Sequence, residues 1–455
     1  MKQLFLSAIL ILFLIPSSAQ TKSKSIQVSG IVKNLTIDTI GLREVIDNSL
    51  TKIGVNKDGT FKTSVILPEG YYNLSFQNEY TPMYLKPGFD LKISADMENL
   101  DGTINYTGTG ANENTYLAKK IKIVDAFKQA NPNLSSDLLS EVDFLKKTNG
   151  VYEARKNLLL QTTGLDANFI FLEQNSIELE KMAELFNYPM MMRFQMGQKD
   201  FKTSENYPDA FKDLDINNEK FIAIPIYNQV VLNCVYVKNN EKMMTGKYND
   251  FPTEMLNTLD SMISNKTVKE FMASIAGIQL LENTKTPEIF YTRFVSIVKN
   301  ENYLKPVRDR YVAMKSTEKG QPSPDFSFAD MSGKIYSLKD FKGKYIYIDV
   351  WATWCGPCKV EIPYLKTIES ELHDKNIVFV SICTFDEKTK WEMMVKDKEL
   401  KGIQLFAPRD NDFVKKYNIQ GIPRFLIIDK EGKILDSNAK RPSDPMLKGE
   451  LMELL

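Results

Sequence analysis

Two cysteines in the C-terminal third of the chain are spaced for redox chemistry. Cys355 and Cys358 are separated by Gly356 and Pro357, and they follow the apolar run Tyr345–Trp351. A Cys-x-x-Cys pair that follows a strand and starts a helix is a dithiol–disulfide motif. Residues three apart lie on the same helical face, within reach of a disulfide bond. The sequence therefore predicts a redox-active pair here.

Cys355 is predicted at the N-terminal end of the helix, where unpaired backbone N–H groups and the helix dipole favour an anion. A free thiol has a pKa of about 8.5, and such a position can lower it to roughly 3.5–7.5. Pro357 is tolerated in the first helical turn. The alternative is half of a zinc site, but Cys234, Cys383 and the single histidine, His373, supply no second ligand pair with the required spacing. No metal site is predicted.

Two carboxylates are candidates for moving the proton of Cys358. Asp349 lies in the apolar strand, where burial penalises its charge and should raise its pKa. Glu361 follows Cys358 by one helical turn. A carboxylate near the inner thiol can take its proton or return it. Helix spacing favours Glu361, because it requires no assumption about the orientation of the strand, but both candidates remain open.

The composition excludes several function classes. The 455 residues include 58 Lys plus Arg and 58 Asp plus Glu, so the chain has no net basic charge for nucleic acid. One histidine excludes multi-histidine metal sites, and four cysteines are too few for a disulfide-stapled scaffold. The chain contains no nucleotide-binding loop, so we expect no cofactor.

The first 19 residues have the pattern of a secretory signal. A lysine near the start precedes a run of 12 mostly apolar residues, Leu4 to Ile15, and Ser17 and Ala19 are small residues at the cleavage positions. The run is too short to span a bilayer as a helix of about 20 residues. The pattern predicts a protein of the periplasm or cell envelope, with residues 1–19 removed.

The remaining chain divides into three predicted domains, so the fold class is multidomain. Short alternating strands and turns at 24–107 indicate an all-β, sandwich-like domain. Helical periodicity at 112–315 indicates a helical middle domain. Within it we expect a helix capped by Ser135 or Ser136 and ended at Asn149-Gly150, whereas 221–237 suits either a strand or a helix.

Residues 321–455 have a different pattern. Apolar strands are predicted at 345–351, 378–382 and 425–428. They alternate with helical stretches at 358–373, 385–398, 411–417 and 444–455, which predicts an α/β domain with a mixed central sheet.

The string Trp354-Cys355-Gly356-Pro357-Cys358 is identical to the active-site string of thioredoxins. Its surroundings resemble the extracytoplasmic TlpA/ResA-type branch, which is related to the AhpC/TSA family. Three further segments carry this resemblance: Pro324–Phe328 in an N-terminal hairpin, Glu361 and Pro363 after the motif, and Gly421-Ile422-Pro423.

The resemblance covers about 321–455 and implies a thioredoxin fold. It also implies a cis-proline at Pro423 and a substrate surface formed by Trp354, Ile422 and Pro423. Thioredoxin itself has an aspartate that corresponds to Asp349, and the extracytoplasmic branch has a glutamate that corresponds to Glu361. This chain has both residues. More loosely, the first 300 residues resemble a DUF4369-type region found on Bacteroidetes proteins of this class.

We therefore hypothesise an extracytoplasmic thiol–disulfide oxidoreductase that reduces protein disulfides. The resemblance implies protein disulfide substrates and a membrane or periplasmic dithiol as electron donor. One alternative is a partner- or ligand-binding envelope protein with an accessory thioredoxin-like domain. Another is a thiol peroxidase, although the chain lacks the Pro-x-x-x-Thr-x-x-Cys site of a peroxiredoxin.

Overall fold

The computed structural model describes residues 24–455 except 47, 78, 137–138, 195, 199, 247–249 and 420. The predicted signal segment 1–19 lies outside the described residues. The chain forms two compact units. One comprises residues up to Thr245 with Ser261–Val268, and the other comprises Gly246–Asp260 with Lys269–Leu455. Over the described ranges, no helix is long and apolar enough to cross a membrane.

The first unit begins with short strands, as the alternating sequence predicts. These are β1 (Ile26–Lys33), β2 (Thr39–Glu44), β3 (Leu50–Gly54), β4 (Thr60–Val65), β5 (Gly70–Phe76), β6 (Glu79–Leu85), β7 (Asp90–Asp96) and β8 (Asn105–Gly108). Within the described part of the chain they form two four-stranded sheets, with the orders β4-β1-β7-β8 and β3-β2-β5-β6. Side chains from both sheets, among them Val28 and Leu74, meet in one apolar core.

Helices dominate from residue 111 to residue 316, as predicted. The helices up to this point are α1 (Leu100–Thr103), α2 (Ala111–Lys120), α3 (Ile123–Ala130), α4 (Glu141–Gln161), α5 (Ala167–Phe194), α6 (Tyr227–Thr245), α7 (Phe251–Met262), α8 (Lys266–Leu280), α9 (Pro287–Ile297) and α10 (Glu301–Ser316). They are divided between the two units. The exact boundaries of the three sequence-defined domains remain predictions.

The structure corrects one local expectation in the helical region and decides one that the sequence left open. Helix α4 is capped by Ser140, whose side chain accepts the backbone N–H of Asp143, and it continues through Gly150. Gly150 lies inside the helix, and its lack of a side chain provides space for Phe127: an added Cβ would lie 2.3 Å from that ring. The ambiguous stretch 221–237 contains no strand: it begins in the short 3₁₀ helix Glu219–Ala223, and residues 227–237 lie in α6.

The C-terminal part is an α/β structure around a mixed sheet. Its strands are β9 (Phe328–Ala329), β10 (Ile335–Tyr336), β11 (Tyr345–Trp351), β12 (Ile377–Cys383), β13 (Ile403–Phe406), β14 (Arg424–Ile428) and β15 (Ile434–Asp436). Its helices are α11 (Gly356–Glu371), α12 (Lys388–Asp397), α13 (Asp412–Lys416) and α14 (Leu447–Leu454). In the described residues the strand order is β10-β9-β13-β12-β11-β14-β15. β12 runs parallel to β11 and β14 runs antiparallel to it, as expected for a mixed sheet.

Strand β11 leads directly into the cysteine motif and is buried along most of its length. Alternate side chains of a strand point to opposite faces of the sheet. One face of β11 packs through Ile346, Ile348 and Val350. Tyr347 packs on the other face with Ile368 of α11. The same alternation places Asp349 on the α11 side of the sheet.

Candidate active site

The structure contains a Cys355–Cys358 disulfide at the predicted helix start. Cys355 is the N-cap residue of α11, and the backbone N–H of Cys358 points at its Sγ atom over 3.1 Å. The two Cα atoms are 5.3 Å apart. The helix therefore directs a first-turn backbone N–H at the sulfur that would carry a negative charge after reduction.

The disulfide is nearly covered, whereas its surroundings are exposed. Cys355 and Cys358 are each 3% exposed, and the Sγ atom of Cys355 lies 3.7 Å from the carbonyl oxygen of Ile422. Trp354 is 60% exposed, and Val360 of α11 is also exposed. Trp354 therefore presents an apolar ring to solvent at the position directly before Cys355.

The loop opposite the disulfide contains the cis Ile422–Pro423 peptide bond that the resemblance implies. Arg424 follows and begins β14. Its guanidinium lies 3.8 Å from the carboxylate of Glu282, and the same carboxylate lies 3.4 Å from Nδ2 of Asn418. Glu282 therefore contacts residues on both sides of the proline loop. The sequence offered no local signal for it, because it lies more than a hundred residues earlier in the chain.

The side chain of Trp354 is held by the loop after β12, a contact that the sequence did not predict. Its indole Nε1–H donates to the carbonyl oxygen of Phe385 over 3.0 Å, and the backbone N–H of Thr353 donates to the carboxylate of Asp386. Phe385 has φ +60°, a left-handed conformation that is uncommon for a residue other than glycine. The loop after β12 therefore fixes the residue next to the nucleophile candidate.

The two other cysteines are free and buried. Cys234 lies in α6, and burial raises the pKa of its thiol. Cys383 pairs in register with Trp351 and packs in the same apolar cluster as the disulfide. Burial, followed by the nearby carboxylate of Asp386, also raises the pKa of Cys383. A raised pKa favours the protonated thiol, whereas the thiolate is the nucleophilic form.

Both candidate carboxylates are buried on the α11 side of the sheet. Glu361 is 5% exposed, and its two oxygens accept the backbone N–H of Ser443 at 2.8 Å and its hydroxyl at 2.9 Å. Burial raises the pKa of Asp349 to about 7, with a further contribution from the charge of Glu361 and an opposing hydrogen bond from Ser381. The predicted rise is therefore confirmed. The Ser443 contact was missed, because it joins residues 82 positions apart.

A Ser443→Ala variant is expected to lower the free energy of unfolding by about 1–3 kcal/mol, because a charge-assisted hydrogen bond to a buried carboxylate is lost. Chemical denaturation measures the change. Ser370→Ala, at an exposed position on α11, is the control and should change stability by less than about 0.5 kcal/mol. Equal effects of the two substitutions would show that the Ser443 hydroxyl does not support Glu361.

Comparison with known proteins relates the C-terminal part to known enzymes. A family model described as Redoxin matches residues 318–449. The thiol-disulfide oxidoreductase ResA of Bacillus thuringiensis is 30% identical over 118 residues, which are 26% of this chain and 68% of that protein. The chain belongs to the thiol–disulfide oxidoreductase family. It is thus a thioredoxin-like enzyme, as its motif predicts.

Further proteins are similar to this oxidoreductase over about a quarter to a third of its length. The thioredoxin-like protein YneN of Bacillus subtilis is 35% identical over 129 residues, which are 26% of this chain and 70% of that protein. Among solved structures, the thioredoxin domain of a thiol-disulfide oxidoreductase from Bacteroides vulgatus is 27% identical. The match covers 30% of this chain and 99% of that chain, with a TM-score of 0.29. The DUF4369-type region remains a prediction.

Proposed function

We propose that this oxidoreductase reduces disulfides of other proteins through its Cys355/Cys358 dithiol. The position of the Cys355 sulfur is the observation that carries the proposal. The sulfur caps α11, the N–H of Cys358 lies 3.1 Å away, and the exposed ring of Trp354 is adjacent in sequence. A charge-assisted hydrogen bond and the helix dipole both stabilise a thiolate at that position.

Each turnover begins with the dithiol form. The thiolate of Cys355 attacks one sulfur of the substrate disulfide, and the other substrate sulfur leaves as a thiolate. Cys358 then loses its proton and attacks the sulfur of Cys355. This breaks the mixed disulfide, releases the second substrate thiolate and leaves the Cys355–Cys358 disulfide seen in the structure.

We propose that Asp349, rather than Glu361, accepts the thiol proton of Cys358. The pKa of Asp349 is raised to about 7, which suits a group that exchanges protons at neutral pH. Both oxygens of Glu361 are occupied by Ser443, and its charge contributes to the raised pKa of Asp349. In this proposal Glu361 acts through Asp349, because its charge helps to raise the pKa of that carboxyl group.

The proposal includes an extracytoplasmic location and an external dithiol donor. The signal-like pattern at residues 1–19 supports the location. The donor would be a membrane or periplasmic dithiol protein that reduces the Cys355–Cys358 disulfide by the same exchange chemistry.

The full-length protein, with dithiothreitol as reductant, is expected to accelerate the reduction of insulin disulfides. Cys355→Ser should reduce the rate to background, whereas Cys234→Ser, at a buried thiol in the helical region, should retain it. The midpoint potential should lie near about −270 mV, as for a reductant. A value near about −120 mV would contradict the reductase direction. Background activity of the wild type would contradict the function itself.

A further inference from the structure

A cavity lies between helices α3, α4 and α5 of the first unit. The space open to the centre of a water molecule in this cavity is about 80 Å³. One water molecule needs roughly 10–15 Å³ by this measure. The cavity is therefore large enough for a ligand of several non-hydrogen atoms. None of the residues that line it is a cysteine, so the redox pair has no part in it.

Helices α4 and α5 supply most of the wall. Side chains three or four positions apart on a helix share a face. Such spacing brings these residues to the cavity: Thr148, Val151 and Arg155 of α4, and Ile177, Lys181 and Glu184 of α5. The two helices meet at this point, because Nζ of Lys181 lies 4.4 Å from the centre of the Tyr152 ring. Both helices therefore direct side chains at one space.

Thr148 brings a buried hydroxyl group to the cavity. The residue is 7% exposed and lines the wall. Its hydroxyl makes no hydrogen bond with any residue that the structure describes. A buried hydroxyl group usually has a partner in the protein, in ordered water or in a ligand. An oxygen atom of a ligand in the cavity would therefore receive this hydrogen bond.

The wall carries more positive than negative charge. Its cations are Lys147, Arg155 and Lys181, and its carboxylate is Glu184. Nη1 of Arg155 lies 2.9 Å from Oε2 of Glu180, but its Nε atom has no hydrogen-bond partner in the described part of the chain. Over the described ranges, Lys147, Lys181 and Glu184 form no ion pair. The two lysines are therefore not neutralised by direct contact with a carboxylate.

The charged side chains that contact the wall from outside the cavity cancel in sign, if Arg155 is counted with them. Three cations stand against three carboxylates there: Lys120, Arg155 and Lys156, and Glu173, Glu178 and Glu180. Lys147 and Lys181, set against Glu184, then leave one positive charge at the cavity. This excess matches a ligand with a single negative charge.

The remaining wall is apolar. Val124 of α3, Val151 and Ile177 line the cavity beside the charged groups. Inorganic phosphate has oxygen atoms on all sides, and some of them would lie unpaired against these side chains at a cost in free energy. A carboxylate on a short hydrocarbon body has its oxygen atoms at one end only. Its two ends match the two kinds of wall.

We propose that this cavity binds a small organic acid. The carboxylate accepts the hydroxyl of Thr148 and is attracted by Lys147 and Lys181, and the hydrocarbon body contacts Val151 and Ile177. The inference does not rest on the proposed function, because it requires no thiol chemistry.

Butyrate is the probe for this site, and ligand-observed saturation-transfer NMR with the full-length protein measures its binding. A ligand of this size reaches a dissociation constant on the order of 1 mM. Butyramide has the same shape without the charge, and we expect it to bind at least about tenfold more weakly, because a hydrogen bond to a charged group is stronger than one to a neutral group. Inorganic phosphate at the same concentration should not displace butyrate.

Two variants place the ligand in the cavity. Thr148→Val keeps the shape of the side chain and removes only the hydroxyl group, and Lys147→Met removes one charge. Each should weaken butyrate binding about tenfold. Lys146→Met, at the neighbouring and exposed lysine of α4, is the matched control and should bind butyrate like the wild type. Circular dichroism checks that each variant is folded.

Several outcomes would overturn the proposal. The site does not exist if butyrate shows no saturable binding up to about 100 mM, roughly a hundredfold above the expected constant. Equal binding of butyramide would show that the cavity does not recognise charge. Unchanged binding in both Thr148→Val and Lys147→Met would place butyrate elsewhere. Displacement of butyrate by phosphate would replace the organic acid by an inorganic anion. Insulin reduction should be normal in all three variants, which separates this test from that of the redox function.

Discussion

Replacing Cys358 by serine is expected to abolish insulin reduction and to trap substrates on the protein. Cys355 can still attack a disulfide, because its position at the N-cap of α11 is unchanged. The mixed disulfide then persists, since no thiol remains at the position that attacks the Cys355 sulfur. Non-reducing electrophoresis of Cys358→Ser, expressed in cells and quenched with acid, should show adducts that dithiothreitol removes.

The matched controls locate the reactive sulfur. Adding Cys355→Ser to Cys358→Ser should remove every adduct, whereas adding Cys234→Ser should leave the adducts unchanged. Adducts that survive without Cys355 would mean that another thiol is the nucleophile, and the proposed order of attack would be wrong.

Replacing Asp349 by asparagine is expected to slow the resolving step by about 10²-fold, the lower end of what a positioned acid or base contributes. The rate should also lose its dependence on a group titrating near pH 7. Single-turnover kinetics across pH measures both changes. A normal rate in Asp349→Asn, together with a large loss in Glu361→Gln, would move the proton-transfer role to Glu361.

The same substitution is expected to stabilise the protein at neutral and higher pH. The carboxyl group of an unfolded Asp349 ionises at about pH 3.9, and in the folded protein at about pH 7. Between these values the folded state binds more protons, so the free energy of unfolding of the wild type falls as the pH rises. Asparagine does not ionise, so the Asp349→Asn variant does not show this fall in the free energy of unfolding. The advantage of Asp349→Asn should therefore grow from about pH 4 and reach about 4 kcal/mol above pH 7.

Denaturation curves at several pH values measure this gain. Asp397→Asn, at an exposed aspartate of α12, is the control and should show no comparable pH-dependent gain. A constant difference between Asp349→Asn and the wild type across the range would mean that the buried carboxyl group is not the source of the pH dependence.

The sequence predicted the redox site well where the information is local. The apolar run at 345–351, the cysteine spacing and the first-turn proline are all contained within about fifteen residues, and the structure places them as strand, N-cap and helix. The raised pKa of Asp349 was also predictable, since a carboxyl group in an apolar central strand must be desolvated.

The contacts that hold Glu361 and Arg424 at the site were not predictable, because they join distant parts of the chain. Ser443 reaches Glu361 across 82 residues, and Glu282 reaches Arg424 from the helical region. Short elements also escaped the pattern: β13 has four residues, too few to show a strand period. In α4, Gly150 resembled a helix terminator because the packing of Phe127 against it is invisible in the sequence.

Glu282 lies outside the span 321–455, yet its carboxylate partly neutralises Arg424 beside the cis-proline. A shortened protein that begins at residue 321 would present an unbalanced positive charge there. Substrates with acidic flanking residues would then react faster with the excised domain than with the full-length enzyme. Preferences measured on such a fragment would describe a surface that the intact molecule does not present.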